Sequence, residues 1–433
     1  MTATLLVALF GRGCVAAAES DSALAATGAR LPASSADCLR HAPHCYSPQA
    51  LRTAYEIEPL LERGIDGRGV TVLLPETAET GPAQPPAITD IRQDMADFDS
   101  RFGLPRADLH VMTSLAGPAV SPWMARLEEV QDTELVHAVA PQATIDELLV
   151  DPSAVSTPAR AAAEFTRLVR VASRRANVIS LSISFGEHFF TNTEVTAINA
   201  ALEYATAHHV TVVASSGDDG VLGKGSLTPP VKEVSLPASD PLVLAVGGTS
   251  LNVNPVSGAY LGETAWNTPP EGAGDSAASG GGFSHLFLRP SYQSGLSGAG
   301  TTRGVPDVAA DASPFTGMAV ARTGPGNTYM LTGAGGTSAS APLWAGLVAL
   351  ADQDANHPLG FINAAIYRVA RGSRYHKAFH DIVTGNNTMV LAATSTSTPA
   401  SVTVTGYRAG PGWDPVTGWG TPDAQVLVPL LAR

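Results

Sequence analysis

The sequence predicts an α/β fold with a mostly parallel central sheet flanked by helices, and three observations carry that expectation. Short, largely apolar runs at residues 70–74, 178–184, 210–215 and 242–246 have strand length and read as buried strands. Helix-compatible stretches near 158–175 and 193–208 lie among them, and such alternation builds a parallel sheet covered on both faces. Hydrophobic residues make up 44% and charged residues 15%, with 42 Gly and 32 Pro, a balance that suits a loop-rich α/β protein rather than a helical bundle or a disordered chain.

From the N-terminus, residues 3–10 form a short apolar run followed by three alanines at 16–18, so residues 1–19 resemble a secretory signal. The other reading of that run is the tail of an upstream segment. Cys14 falls inside it, and lipidation there is poorly served by the preceding Gly11, Arg12 and Gly13. Export leaves Cys38 and Cys45 to pair as a local disulfide. Residues 20–45 are small, polar and turn-rich, a linker or a prosegment remnant, and the folded part runs from 46 to 433 as one domain. Residues 49–61 read as a helix and 64–69 as turns into the first strand. The second half has a Gly/Ser-rich loop at 271–283 and a Ser/Thr-rich insert at 392–404, and long loops in a compact domain tend to carry function. There is no internal repeat.

The net charge of −13 excludes a nucleic-acid or anionic-membrane surface, and no other apolar run approaches the ~18 residues of a membrane span. Lysine occurs only at 224, 232 and 377. No feature of the sequence asks for a partner chain, so a monomer is expected.

The chemistry centres on Gly335, Gly336, Thr337 and Ser338, followed by Pro342 and an apolar run to Leu350. A serine emerging from glycines at a helix start is either a nucleophile beside an anion-stabilising helix terminus or an N-cap. A nucleophilic serine needs a base, and none of His110, His137, His188, His208, His209 and His285 stands in a His-Gly-Thr-His setting. The helical stretch 126–141 instead carries Glu128 and Asp132 at i and i+4, which puts two carboxylates on one helical face. Residues 135–140 are mostly apolar, so that helix is expected to be packed, and its carboxylates then repel unless they share a proton or a partner.

With these residues the chain resembles the sedolisin family, serine-carboxyl peptidases on a subtilisin-like fold. In that family a Glu, an Asp four residues later in a helix ending Ala-x-Ala-Pro, and the Ser of Gly-Thr-Ser-x-x-x-Pro act together. Glu128, Asp132 and Ser338 stand at those places, and Asp218 in Ser216-Gly217-Asp218-Asp219-Gly220 matches the oxyanion-hole aspartate. The resemblance implies a serine-type endopeptidase with an acid optimum; release of tripeptides from free N-termini stays open beside internal cleavage. Imidazole, with a pKa near ~6.5, is protonated in acid, whereas a carboxylate near ~4 still accepts the serine proton. Glu128 is then the base, Asp132 orients it and shares its proton, and protonated Asp218 donates to the oxyanion with the Ser338 N–H.

The resemblance also implies a C-terminal calcium-binding loop region holding one structural Ca2+ through the Asp381 and Asp414 side chains and the carbonyls of Ile382, Gly410 and Gly412. It extends over Gly280 to Ser284 and Arg303 to Val308. Three departures stand out. Only about forty-five residues precede the domain where relatives carry a long prosegment. Phe185 stands where many relatives have Trp, and Glu76 aligns with a glutamate that extends the Glu-Asp network in some members; with Phe185 that extension is expected to be incomplete. Ser235 replaces an acidic pocket residue of some relatives, which removes the reason for a preference for basic side chains there. Two further readings are a neutral subtilisin-like protease using a histidine and a catalytically silent binding protein on the same fold.

Overall fold

The computed structural model describes residues 45–77, 91–113, 127–225, 227, 229–270, 275–296, 300–324, 328–392 and 401–433. The expected signal segment and Cys14 and Cys38 lie outside them, as do residues 271–274 and 393–400 of the two long loops. Its centre is an eight-stranded sheet. The strands are β1 (Thr71–Thr77), β2 (Asp108–Thr113), β3 (Thr144–Val150), β4 (Val178–Leu181), β5 (Thr211–Ser215), β6 (Leu244–Val253), β7 (Tyr260–Ala265) and β8 (Val308–Asp311). Their spatial order is β8-β6-β5-β4-β1-β3-β2, all parallel, with β7 antiparallel on β6.

The inner strands β1, β4, β5 and β6 are buried on both faces, which is why they read as largely apolar runs. On one face Val72, Leu74, Val178, Val213 and Val246 pack with α3 (Leu127–Val139) and α6 (Thr337–Ala355). The other face turns Leu73, Ile179, Leu181, Val212 and Ala214 onto α4 (Pro158–Ala172) and α5 (Asn192–Ala207). Both outer helices start on a threonine N-cap, Thr157 and Thr191, the latter in a capping box with Glu194. Opposite the termini of these strands, α1 (Pro48–Ala54) and α2 (Ile91–Phe102) close the first core.

Residues 49–61 do not form one helix. α1 ends at Ala54, Glu56 takes a left-handed φ of 53°, and a separate turn of helix covers Glu58–Leu61. Farther along, Arg303 is fully buried and makes a bidentate pair with Asp307, at 2.8 Å and 2.6 Å, with the Tyr367 hydroxyl on Asp307 as well. Asp307 Oδ2 in turn accepts the Ala245 N–H at 2.9 Å, so the pair pins the strand before β8 to β6.

The carboxyl ends of the parallel strands converge where α6 begins. Glu76 stands near the end of β1, Ser182 just past β4, and Asp218 just past β5. In an open parallel sheet this edge, where loops replace strands, is where ligands bind.

Candidate active site

α3 is buried around its whole circumference, polar residues included: Glu129, Gln131, Asp132, Thr133, Glu134 and His137 are each at most 3% exposed. A helix wrapped in protein is normally apolar all round, so these side chains are held inside for their contacts. Gln131 Oε1 accepts the Gly335 N–H at 2.8 Å and ties the helix to the turn before Ser338. Glu134 Oε2 accepts the Ala321 N–H at 2.8 Å on the opposite side.

Glu128 and Asp132 face the start of α6, as their spacing predicts. The half-exposed Ser338 side chain lies close enough to Glu128 to favour its ionised form by hydrogen bonding. Buried Glu128 Oε1 lacks a bond of full geometry, a looseness common in catalytic contacts before substrate binds. Asp132 is completely buried; its Oδ2 meets the Ser182 hydroxyl at very short range, and the Glu76 and Gln131 side chains also reach its carboxyl. Glu76 therefore joins the network even though Phe185 offers it no indole N–H. Phe185 and Glu76 line one end of a narrow apolar cavity of about 40 Å3 between α4 and the sheet.

Asp218 is fixed by the residue before the serine. Its Oδ1 accepts the Thr337 N–H and the Thr337 hydroxyl, each at 2.8 Å, while Thr337 Oγ1 accepts the Gly217 N–H at 3.0 Å. Both Thr337 bonds fall on Oδ1, which leaves Oδ2 clear of them. Gly336 makes the approach possible: its φ is +78°, and a Cβ there would lie 2.7 Å from Asp218 Oδ2. Ser235 is buried with its hydroxyl on the Lys224 N–H at 3.2 Å, beside Gly217.

Burial pushes Glu128 up to about 7, aided by the charge of Asp218 and opposed by the Ser338 hydroxyl and Lys224. Burial likewise raises Asp132 and Glu76 well above the ordinary carboxyl range; the charge of Glu128 adds to the rise of Asp132, and those of Asp132 and Glu147 to that of Glu76. Glu147 on β3, with both oxygens buried and unpartnered, is raised by burial and by Glu129 and Asp132. These groups share protons and titrate as a set.

Such carboxyls hold their protons more tightly folded than unfolded. The stability they confer is fully present below the unfolded values, about 4, and is lost as pH rises through the folded ones, about 7 for Glu128 and likewise raised for Asp132 and Glu147. The melting temperature is expected to be highest near pH 4–5 and to fall by roughly 10 °C by pH 8, as scanning calorimetry across that range will show.

The histidines are engaged elsewhere. His137 meets the Pro105 carbonyl and Asp99, His110 meets Asp108 and Asp146, His188 pairs with Glu233, and His285 reaches the Lys232 carbonyl. No histidine of the described residues is bonded to Ser338. Sequence reading missed Ser182, Gln131, Thr337 and Glu147, whose roles depend on partners far along the chain.

The five residues expected to hold a metal lie on two neighbouring turns. The Gly412 N–H donates to both oxygens of Asp381 at 3.1 Å. Asp414 accepts the Gly410 N–H at 3.2 Å, the Val416 and Thr417 N–H groups at 2.8 Å and 2.9 Å, and the Thr417 hydroxyl at 2.9 Å. Ile382 is buried next to Asp381.

The Subtilase family model matches residues 130–368. The chain is similar to kumamolisin of Bacillus sp. (strain MN-32), 33% identical over 411 residues, covering 90% of this chain and 65% of that protein. It is 37% identical over 226 residues to sedolisin of Pseudomonas sp. (strain 101), covering 52% of this chain and 35% of that one. The chain thus spans less than two thirds of the length of either relative. Among solved structures it is similar to Pseudomonas sedolisin, a serine-carboxyl proteinase complexed with pseudo-iodotyrostatin, with a TM-score of 0.70 at 29% identity over 90% of this chain and 96% of that one.

Proposed function

The chain belongs to the sedolisin group of the subtilase family, and on that premise we propose that it hydrolyses peptide bonds in acid through an acyl-enzyme on Ser338. The observation that carries this reading is the company of the serine: its hydroxyl faces the carboxyl of Glu128. Glu128 takes the Ser338 proton as the oxygen attacks the peptide carbonyl, and Asp132 keeps a proton that holds the pair to one negative charge. Asp218 Oδ2–H and the Ser338 N–H donate to the oxyanion as the tetrahedral intermediate forms. Glu128 then returns the proton to the leaving amine, and water attacks the ester with the same groups in the same roles.

Burial alone would keep Glu128 protonated in acid. The charge on Asp218 contributes to that rise, and the donor role of Asp218 requires it to be neutral. The Ser338 hydroxyl and the charge of Lys224 oppose the rise of Glu128 and extend its ionised form to lower pH. The working state has Glu128 ionised with Asp132 and Asp218 protonated. Hydrolysis of an unstructured protein substrate, followed from pH 2 to 9, is expected to peak below pH 7; a peak at or above neutrality contradicts the assignment.

One structural calcium ion completes the proposal. Two carboxylates on adjoining turns, with no lysine or arginine of the described residues paired to either, are a donor set that fits a hard cation. Among the described residues no group of three or more His, Cys, Asp or Glu side chains is placed to hold a metal, so the carbonyls of Ile382, Gly410 and Gly412 would supply the rest of the shell. The ion would join the two turns and stabilise the fold. A chelator is expected to lower the melting temperature by about 3 °C, the effect of a ligand near a hundred times its dissociation constant on a domain of this length, with recovery on adding Ca2+ but not Mg2+.

Cys45 is disulfide-bonded, its partner lying outside the described residues, which supports an exported protein. Among the described residues no helix is long and apolar enough to cross a membrane.

A further inference from the structure

Ser182 lies just past the end of β4, half-buried between α3 and α6. Its hydroxyl faces two acceptors at once: Asp132 Oδ2, at very short range, and the backbone carbonyl of Ser338, at 3.2 Å. A hydroxyl has one proton to give. The Ser338 carbonyl has none, and it has lost its ordinary donor. In an α-helix it would accept the N–H of residue 342, and that residue is Pro342, inside α6, which has no N–H. If Ser182 donates to the carbonyl, it has only lone pairs left for Asp132, and the proton between them belongs to the carboxyl.

We propose that Ser182 is a positioning residue for peptide hydrolysis: it accepts the Asp132 proton and donates its own to the Ser338 carbonyl. It thereby keeps Asp132 the neutral member of the carboxyl pair and ties that pair to the main chain of the nucleophile. The inference rests on the reading of Ser338, Glu128 and Asp132 as the catalytic set. Burial and the charge of Glu128 favour a neutral Asp132, while hydrogen bonding with the Glu76 and Gln131 side chains favours its ionised form. Glu128 and Glu129 come from its own helix, Glu76 from β1 and Glu147 from β3, and the lysine in the neighbourhood, Lys224, acts on Glu128. From α6 the neighbour is Ser338 itself.

The test compares peptide hydrolysis by the wild-type protein, Ser182→Ala and Ser182→Thr across pH. Losing one hydrogen bond to an ionisable group is expected to lower kcat about tenfold to a hundredfold in Ser182→Ala, with KM within about twofold of the wild type. Without its acceptor the protonated Asp132 is less favoured, so the alkaline limb of the kcat profile moves to lower pH, by about one unit. Ser182→Thr keeps the hydroxyl and is expected to restore both. An alkaline limb displaced upward means that Ser182 donates to an ionised Asp132, and the proposal is then wrong; so it is if kcat and the profile stay as in the wild type. Should Ser182→Ala fail to fold, Ser182→Cys, close in shape and weak as a hydrogen-bonding group, carries the same expectations. A wild-type protein inert toward peptides at every pH would remove the catalytic reading itself, whereas an active wild type with an unaltered Ser182→Ala removes this inference alone.

Discussion

Ser338→Ala is expected to lower peptide hydrolysis by about 10^4-fold to 10^6-fold while leaving the fold intact. The oxygen that is removed is half-exposed at the start of α6, and the helix does not rely on it as a cap; Gly336 precedes the helix without a side-chain cap bond. The Thr337 contacts that hold Asp218 are untouched. The melting temperature should therefore stay within a few degrees of the wild type while kcat falls. An equal loss of stability would show instead that the serine belongs to the packing.

Glu128→Gln has the second-largest expected effect, about 10^2-fold to 10^4-fold in kcat, the range typical of removing a general base. The amide keeps the size and can still bond to the Ser338 hydroxyl, but it cannot take its proton. KM should change little, because the change falls on proton transfer and not on substrate contacts. The same variant carries a second signature. Burial has raised Glu128 to about 7, so replacing it removes one ionisation that destabilises the fold as pH rises. Glu128→Gln should accordingly match the wild type in stability near pH 4 and exceed it near pH 8. Replacing His188 or His285 by alanine is expected to leave kcat within about threefold, since each is occupied by Glu233 or by the Lys232 carbonyl. A histidine variant with the larger loss would favour a neutral protease instead.

The sheet was legible where strands are continuous apolar runs, as in β1, β4, β5 and β6, because both faces of a parallel sheet are covered. β3 escaped notice because Asp146 and Glu147 interrupt its run, yet both are buried, Glu147 without a partner. That departure from local pattern lies behind the catalytic helix, where strain between propensity and placement is expected. The helix read over residues 49–61 failed at Glu56, whose left-handed backbone no residue-type pattern announces. Within the site, the i, i+4 spacing on α3 and the glycines before Ser338 were visible because each is local. Ser182 was not, since its partners lie 50 and 156 positions away. The one local sign was Pro342, four residues after Ser338, which leaves a helix carbonyl in need of a donor.

Trapping an acyl intermediate tests most directly the proposal that peptide bonds are hydrolysed through Ser338. The protein is mixed in acid with a slowly deacylated ester, quenched, digested and read by mass spectrometry. One acyl group per chain on the fragment containing Ser338 is the expected result, absent from Ser338→Ala and slower to form in Glu128→Gln. An acyl group on another residue, or none in a protein that turns the ester over, would contradict the account.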